Sequence, residues 1–329
     1  MEEKIKEFEP YNSETATPPI VAFVVPCHNE ETVLPSSTSS IYEKMEELKT
    51  DNLISEDSFL LFVDDGSSDN TWGVIQNLSH RYNNVKGIRL AVRVGHQTAL
   101  LAGIDNVCHI SDASITLDAD LQDDISIVPQ MLKAFTSGAD VVCGVRENRD
   151  CDTWFKRHSA QTFYKTMRML GVDCLYNHAD FRLLSARAMN DLMEYGERNI
   201  FLRGIVPRLG YRQESIIYER QERKMGKTKY PVKRMVEFAI DGITSFSVKP
   251  VRMLFWLGLF FLLAAIGIGI YTLIRHFTGE TVEGWTSLIL SIWFCTGILL
   301  IGMGIMGEYI GKIYIEVKHR PRYKISEQT

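Results

Sequence analysis

The chain has 329 residues, a net charge of −5 and 45% hydrophobic residues, room for one large domain and something smaller. Its six cysteines (27, 108, 143, 151, 174 and 295) form no Cys-x-x-Cys pair and no zinc-type spacing, so reduced thiols packed as small apolar side chains are expected. Nucleic acid is not an expected partner.

Residues 1–19 are acidic, bear Pro and Thr, and lack the basic-then-apolar pattern of a signal peptide, which predicts a disordered tail. Ile20 to Val25 is a continuous apolar run closed by Pro26 and reads as a buried parallel strand. Glu30 to Leu48 carries helical features interrupted early by Pro35. Phe59 to Val63 is a second buried strand, ending in Asp64-Asp65-Gly66-Ser67-Ser68-Asp69. That run supplies turn residues and an N-cap for a helix from about Thr71 to Arg81. Gly87 to Leu90 follows as a strand, Gln97 to Val107 as a helix and Ser114 to Leu117 as a strand. Ile127 to Ser137 is helical, stopped by Gly138, and Ala139 to Gly144 is a fifth strand. Strands alternating with helices at this spacing predict an α/β fold over residues 20–230, a mostly parallel, doubly wound sheet with right-handed crossovers.

Beyond Cys151 the pattern changes. Trp154 to Leu170 looks helical and is rich in basic and aromatic residues, Ala179 to Leu184 and Ser215 to Tyr218 read as short strands, and 219–230 is a basic loop. Within 231–250, Val232, Met235, Phe238, Ile243 and Phe246 recur near helical spacing beside Lys233, Arg234 and Glu237. An amphipathic helix lying in a membrane interface is expected there. Residues 253–274 and 285–307 hold no charge, and each run exceeds the ~20 residues that cross a bilayer. Two transmembrane helices are therefore expected within 251–307, at about 252–274 and 285–307. Lys249 and Arg252 precede the first, whereas Lys312, Lys318, Arg320, Arg322 and Lys324 follow the second. The intervening loop sets one Arg against Glu280 and Glu283. This bias predicts both termini in the cytoplasm, a multi-pass protein of the cell (inner) membrane, and a cytoplasmic basic tail at 308–329.

Chemistry concentrates where strands end. The run Ser114-Ile115-Thr116-Leu117 stops at Asp118-Ala119-Asp120-Leu121-Gln122, two carboxylates two positions apart and then an amide. A lone Asp-x-Asp is more often a solvated turn. Here Asn29-Glu30 and Asp64-Asp65 also follow strands, and in a parallel sheet the three loops open on one edge, where such sheets bind ligands. Crowded carboxylates repel unless a divalent cation and a donor-rich ligand such as a nucleotide offset them. Oxygen donors suit Mg²⁺ or Mn²⁺ and not zinc. An EF-hand is excluded, since Asp123 stands at the Gly position and Pro129 at the Glu position. No Gly-x-Gly-x-x-Gly follows the first strand, and Gly226-Lys227-Thr228 lacks the P-loop glycine, replaced by Gln221.

Taken together, Val24-Val25-Pro26-x-x-Asn29-Glu30-Glu31, Val63-Asp64-Asp65-Gly66-Ser67-x-Asp69-x-Thr71 and Asp118-Ala119-Asp120-Leu121-Gln122 resemble inverting GT-A glycosyltransferases. The chain is similar, over about residues 20–324, to polyprenyl-phosphate glycosyltransferases of the dolichol-phosphate mannose synthase-like group. Within that group it resembles the bacterial bactoprenol glucosyltransferase branch with two C-terminal membrane helices. Further matches are Gly144-Val145-Arg146, Asp180-Phe181-Arg182, Arg223-x-x-Gly226-x-Thr228-Lys229 and Gly302-Met303-Gly304-x-x-Gly307-Glu308-Tyr309-Ile310-Gly311. It departs at His28, where Tyr or Phe is common, and at Asp123-Asp124, where Pro often follows.

The resemblance implies nucleotide contacts from Pro26, Asn29, Glu30, Asp65, Asp118 and Arg146, and a metal held by Asp118, Asp120 and Gln122. It implies that Arg157, Arg182, Arg223 and Lys229 meet the acceptor phosphate, with Asp120 and Asp180 catalytic. A phosphomonoester acceptor has a second pKa near 6, so it is already nucleophilic at neutral pH, and Asp180 is expected to orient it or act as a weak base. The expected reaction moves a hexose from UDP-glucose to undecaprenyl phosphate with inversion. UDP-GlcNAc and GDP-mannose stand as alternative donors, and a homo-oligomer is left open. A processive synthase is disfavoured by two spans and no Gln-x-x-Arg-Trp motif. An inactive GT-A scaffold is disfavoured by the retained acidic and basic set.

Overall fold

The computed structural model describes residues 17–146, 178–198, 202–218, 249–278 and 284–329. Residues 1–16, the expected helix at 154–170, the loop at 219–230 and the amphipathic segment up to 248 lie outside these residues. The chain divides into two compact units, a sheet domain that includes Arg320–Thr329 and a unit holding two long helices.

In the sheet domain β1 (Val21–Cys27), β2 (Phe59–Asp64), β3 (Val85–Leu90) and β4 (Ala113–Thr116) run parallel. They are joined by α1 (Leu34–Thr50), α2 (Thr71–Arg81) and α3 (His96–Val107). After α4 (Val128–Thr136) come β5 (Val141–Arg146), β6 (His178–Ser185), α5 (Ala186–Glu194) and β7 (Gln213–Tyr218). The order across the sheet is β7-β5-β6-β4-β1-β2-β3-β8, with β6 antiparallel to both neighbours and β8 (Ile325–Gln328) antiparallel to β3. This is the mostly parallel α/β sheet that the sequence predicts.

Every residue of β1 and β2 is buried. That is why they read as unbroken apolar runs, since helices cover both faces of a parallel sheet. Two boundaries differ from expectation. Pro26 does not close β1, which continues to Cys27 opposite Asp64. Pro35 does not interrupt α1 but sits in its first turn, where the missing N–H has no helical partner to lose. Leu34, Ile41, Met45 and Leu48 form the buried stripe of α1, packed with Phe23, Phe62 and Phe181 in one core. On α3, Gly103 lies against β1 and β2. A Cβ there would come within 2.3 Å of Val24 Cγ1 and 3.0 Å of Val63 Cγ2.

The reading of 308–329 as a plain basic tail omits two elements. The second long helix runs on to Val317, and Ile325–Gln328 is a strand of the sheet domain. A four-residue edge strand bearing Ser, Glu and Gln carries no apolar signal, so its partner alone reveals it.

In the second unit α6 (Lys249–Phe277) and α7 (Trp285–Val317) pack antiparallel. The Phe261 and Phe294 rings lie 5.6 Å apart, and Leu254 faces Gly302. Both helices are long and apolar enough to cross a membrane. Phe255, Trp256, Phe260, Leu299 and Met303 are more than half exposed, the outward apolar surface of a hydrocarbon-facing hairpin.

Gly103→Ala should lower the thermal midpoint by destabilising the sheet domain about 1–3 kcal/mol, the cost of an extra methyl in a filled core. Thermal unfolding followed by circular dichroism checks this, and an unchanged midpoint contradicts the packing described.

Candidate active site

Because β4, β1 and β2 are neighbours, the loops leaving their carboxyl ends stand side by side. Hydrogen bonds Asp65 N–Cys27 O (2.9 Å) and Leu117 N–Val24 O (3.0 Å) hold those ends in register.

The first two loops are tied to each other. Asn29, in the left-handed region at φ 57°, accepts hydrogen bonds from Ser68 N (2.9 Å) and Ser68 Oγ (3.2 Å). Its own N–H donates to Ser67 Oγ at 3.0 Å, and Glu30 N–H donates to Thr71 Oγ1 at 2.9 Å. Pro26 is buried within β1. Asp65 is buried too, and its carboxylate accepts from Val94 N (2.6 Å) and Gly95 N (2.9 Å). The carboxylate that the resemblance puts on the base and ribose thus also braces the loop after β3. Gly66 allows the approach: at φ +58° it has backbone close by, and a Cβ would meet Arg93 N at 2.7 Å. His28 Nδ1 lies 3.0 Å from the Asp65 carbonyl oxygen.

The third loop carries Asp118, Asp120 and Gln122. Gln122 is buried and donates through Nε2 to Asp120 Oδ2 at 2.6 Å, orienting the more exposed carboxylate. Antiparallel pairing of β4 with β6 then delivers Asp180 from far along the chain, with Thr116 opposite Arg182. Thr116 Oγ1 donates to the Asp180 carbonyl oxygen. Asp180 Oδ1 accepts from Arg182 Nη2 at 2.8 Å.

His96, the first residue of α3, joins the two acidic groups. Its Nε2 lies 3.5 Å from Asp118 Oδ1 and 3.6 Å from Asp180 Oδ2. The sequence reading passed over it. The available signal was its place after Gly95, at the end of the loop that leaves β3, on the same sheet edge as the acidic loops.

Two arginines stand differently from expectation. Arg182 is 3% exposed and its guanidinium is held by Asp180, so it supports that carboxylate and does not present itself to an acceptor phosphate. Residues two apart on a strand share a face, which brings 180 and 182 together. Arg146 pairs with Asp123 through Nε (2.9 Å) and Nη2 (2.8 Å), and Tyr218 Oη donates to the same Asp123 at 2.6 Å. Arg146 is therefore engaged in a part-buried ion pair with the residue that directly follows Gln122. Arg157, Arg223 and Lys229 lie outside the described residues.

The electrostatics single out one group. Desolvation, eased by His96 and reinforced by Asp180, Asp123 and Asp120, pushes the Asp118 carboxyl up to about 6. A carboxylate crowded this way favours a bound cation. Among the described residues no three His, Cys, Asp or Glu side chains converge as a ready-made cage. Two loop carboxylates with an oriented amide fit Mg²⁺ or Mn²⁺, which take one or two protein carboxylates and complete their shell with water and substrate phosphates.

Residues 22–193 match the family model for glycosyl transferase family 2, and residues 249–313 match the GtrB C-terminal hairpin. The chain belongs to glycosyl transferase family 2. It is a glycosyltransferase with a GT-A fold and a membrane hairpin of the GtrB type. It is 50% identical to the glycosyltransferase YkoT of Bacillus subtilis over 309 residues, 93% of this chain and 91% of the relative. It is 36% identical to the bactoprenol glucosyl transferase of Shigella phage SfV over 310 residues, 94% and 98% of the two chains. The mannosyltransferase PcManGT of Pyrobaculum calidifontis, covering 97% of this chain and 92% of that one, superposes with a TM-score of 0.47 at 12% identity. Kinship therefore rests on the sequence matches.

A carboxyl raised from its ordinary 3.8 to about 6 opposes folding once ionised. Its stabilising protonated state is complete below about pH 4 and lost as pH rises through 6. In buffer free of divalent cations, Asp118→Asn should raise the thermal midpoint at about pH 7.5, the gain shrinking below about pH 6 and vanishing near pH 4. Melting curves across that range, repeated with Mn²⁺, check this, because the cation should stabilise the parent chain more than the variant.

Proposed function

We propose that this glycosyltransferase moves a hexose from a nucleotide diphosphate sugar, UDP-glucose first, to undecaprenyl phosphate with inversion of the anomeric centre. The observation that carries this is the meeting of Asp118 and Asp180 around His96 at the sheet edge where both loops of the nucleotide site end. The bactoprenol glucosyl transferase relatives support a lipid phosphate as the acceptor.

In this reading Asn29, Glu30 and Asp65 shape the cleft for base and ribose, with buried Pro26 setting the strand end beneath it. Asp118 and Asp120 hold Mg²⁺ or Mn²⁺, and Gln122 keeps the Asp120 carboxylate turned toward it. When bound, the metal offsets the charge that builds on the departing diphosphate. Arg146, anchored by Asp123, adds positive charge on the same side. Asp180, steadied by Arg182, orients the acceptor phosphate opposite the leaving group or takes its last proton as a weak base. The acceptor is a phosphomonoester with a second pKa near 6, so a stronger base is unnecessary at neutral pH. Arg157, Arg223 and Lys229 meet the lipid phosphate near the membrane surface, where cationic side chains attract anionic head groups. In this reading the sheet domain and both termini lie in the cytoplasm, which the basic flanks of the two spans support.

Purified protein incubated with Mn²⁺ or Mg²⁺, undecaprenyl phosphate and separately labelled UDP-glucose, UDP-GlcNAc and GDP-mannose should move label from UDP-glucose into the organic phase. Asp120→Ala should reduce that transfer to below about 1% of the parent rate, the scale on which removing one electrostatic stabiliser acts, while the protein stays folded. Near-normal turnover in the variant would refute the role given to Asp120.

A further inference from the structure

The sheet edge formed by β8 carries a chain of contacts that reaches the nucleotide loops. Glu327 Oε1 accepts from Arg89 Nη1 at 2.9 Å, and Glu327 Oε2 accepts from Trp72 Nε1 at 2.9 Å. On its other side Arg89 Nε stands 3.3 Å from Asp64 Oδ2. Asp64 is fully buried, and that oxygen makes no hydrogen bond among the described residues, so Arg89 is the charge facing it. Asp64 Oδ1 accepts from Ser67 N at 3.0 Å, Ser67 Oγ accepts from Asn29 N at 3.0 Å, and Asn29 Oδ1 accepts from Ser68 N at 2.9 Å.

A buried carboxylate keeps its charge only with a well-placed partner. A guanidinium is a rigid planar fork, so fixing one end fixes where the other points. Glu327, itself held by Trp72 Nε1, fixes the outer end. The strand that carries Glu327 is itself secured to β3: Gly87 N donates to Thr329 Oγ1 (2.8 Å), Thr329 N donates to Gly87 O (3.0 Å) and Ser326 Oγ donates to Arg89 O (3.1 Å).

We propose that Glu327 is a positioning residue for the donor nucleotide: by holding Arg89 against Asp64, the C-terminal strand sets the Asp64–Ser68 turn and, through it, Asn29. The inference rests on the reading of these loops as the nucleotide site. It gives the last residues of the chain, which follow the second membrane helix in sequence, a part in donor binding without contact to the donor.

The test uses the full-length protein in detergent with Mn²⁺. Dissociation constants for UDP and for GDP, and KM and kcat with the donor that the transfer assay selects, are measured for the parent, Glu327→Gln and Ser326→Ala. Glu327→Gln keeps the size of the side chain and removes its charge. It should weaken nucleotide binding and raise donor KM about 3- to 10-fold, the range for indirect coupling through a packed network. Its kcat should stay within about twofold and its thermal midpoint unchanged. Ser326→Ala loses a hydrogen bond from the same strand to β3 but leaves the charge relay, so its KM should match the parent. Arg89→Met combined with Glu327→Gln should be no worse than Arg89→Met alone, because both act on one link. Parental nucleotide affinity in Glu327→Gln, or an equal loss in Ser326→Ala, overturns the inference. A parent chain that binds neither nucleotide overturns the functional reading itself, and this inference with it.

Discussion

Negative charge held at low exposure beyond the ends of β4, β1 and β2 is the constraint to which the rest of the sheet domain answers. Ionised carboxylates are costly away from water unless each meets a cation or several donors. Asp64 meets Arg89, Asp65 meets two backbone N–H groups, Asp123 meets Arg146 and Tyr218, and Asp180 meets Arg182. Asp118 faces the imidazole of His96 at 3.5 Å amid three other carboxylates, and its carboxyl is held up at about 6. Asp64, Asp65, Asp123 and Asp180 are settled by the protein's own residues, whereas Asp118 is left with its carboxyl raised. A divalent cation with a diphosphate is what that crowding suits.

The compensating groups also decide shape. Asp65 draws the loop after β3 toward the loop after β2, and Gly66 admits the close approach that a side chain would block. Asn29 and Ser68 close the first loop on the second. Burying and pairing charge is therefore the same act as preorganising the cleft, and preorganised donors and acceptors are what a transferase needs where charge develops. The hairpin unit follows another rule. With hydrocarbon as its solvent it exposes Phe255, Trp256 and Phe260 and satisfies its backbone within each helix.

Much of the fold was legible because parallel strands buried on both faces leave unbroken apolar runs, as Val21–Val25 and Phe59–Val63 do. The span of α2 was legible as well, but its N-cap is Asn70, which makes no side-chain capping bond, and not a residue of the 64–69 run; Asp69 instead accepts from Thr71 N. The β8 strand escaped because pairing with β3, and not composition, makes it a strand. His96 escaped because one histidine among polar neighbours carries no periodic signal. Arg182 was placed on the acceptor phosphate by resemblance alone, and only β6 shows its guanidinium buried against Asp180.

By itself the sequence determined the alternation of strands and helices, the two charge-free spans and the acidic ends of three strands. Each of these is written in residue types at short range, through burial, hydropathy and turn chemistry. Tertiary structure alone decided which charges meet. Asp118 and Asp180 come together because β6 runs antiparallel beside β4, and Glu327 reaches Arg89 because the chain's last strand returns to β3. Pairings between residues separated by scores or hundreds of positions depend on sheet order, and sheet order is a property of the packed whole.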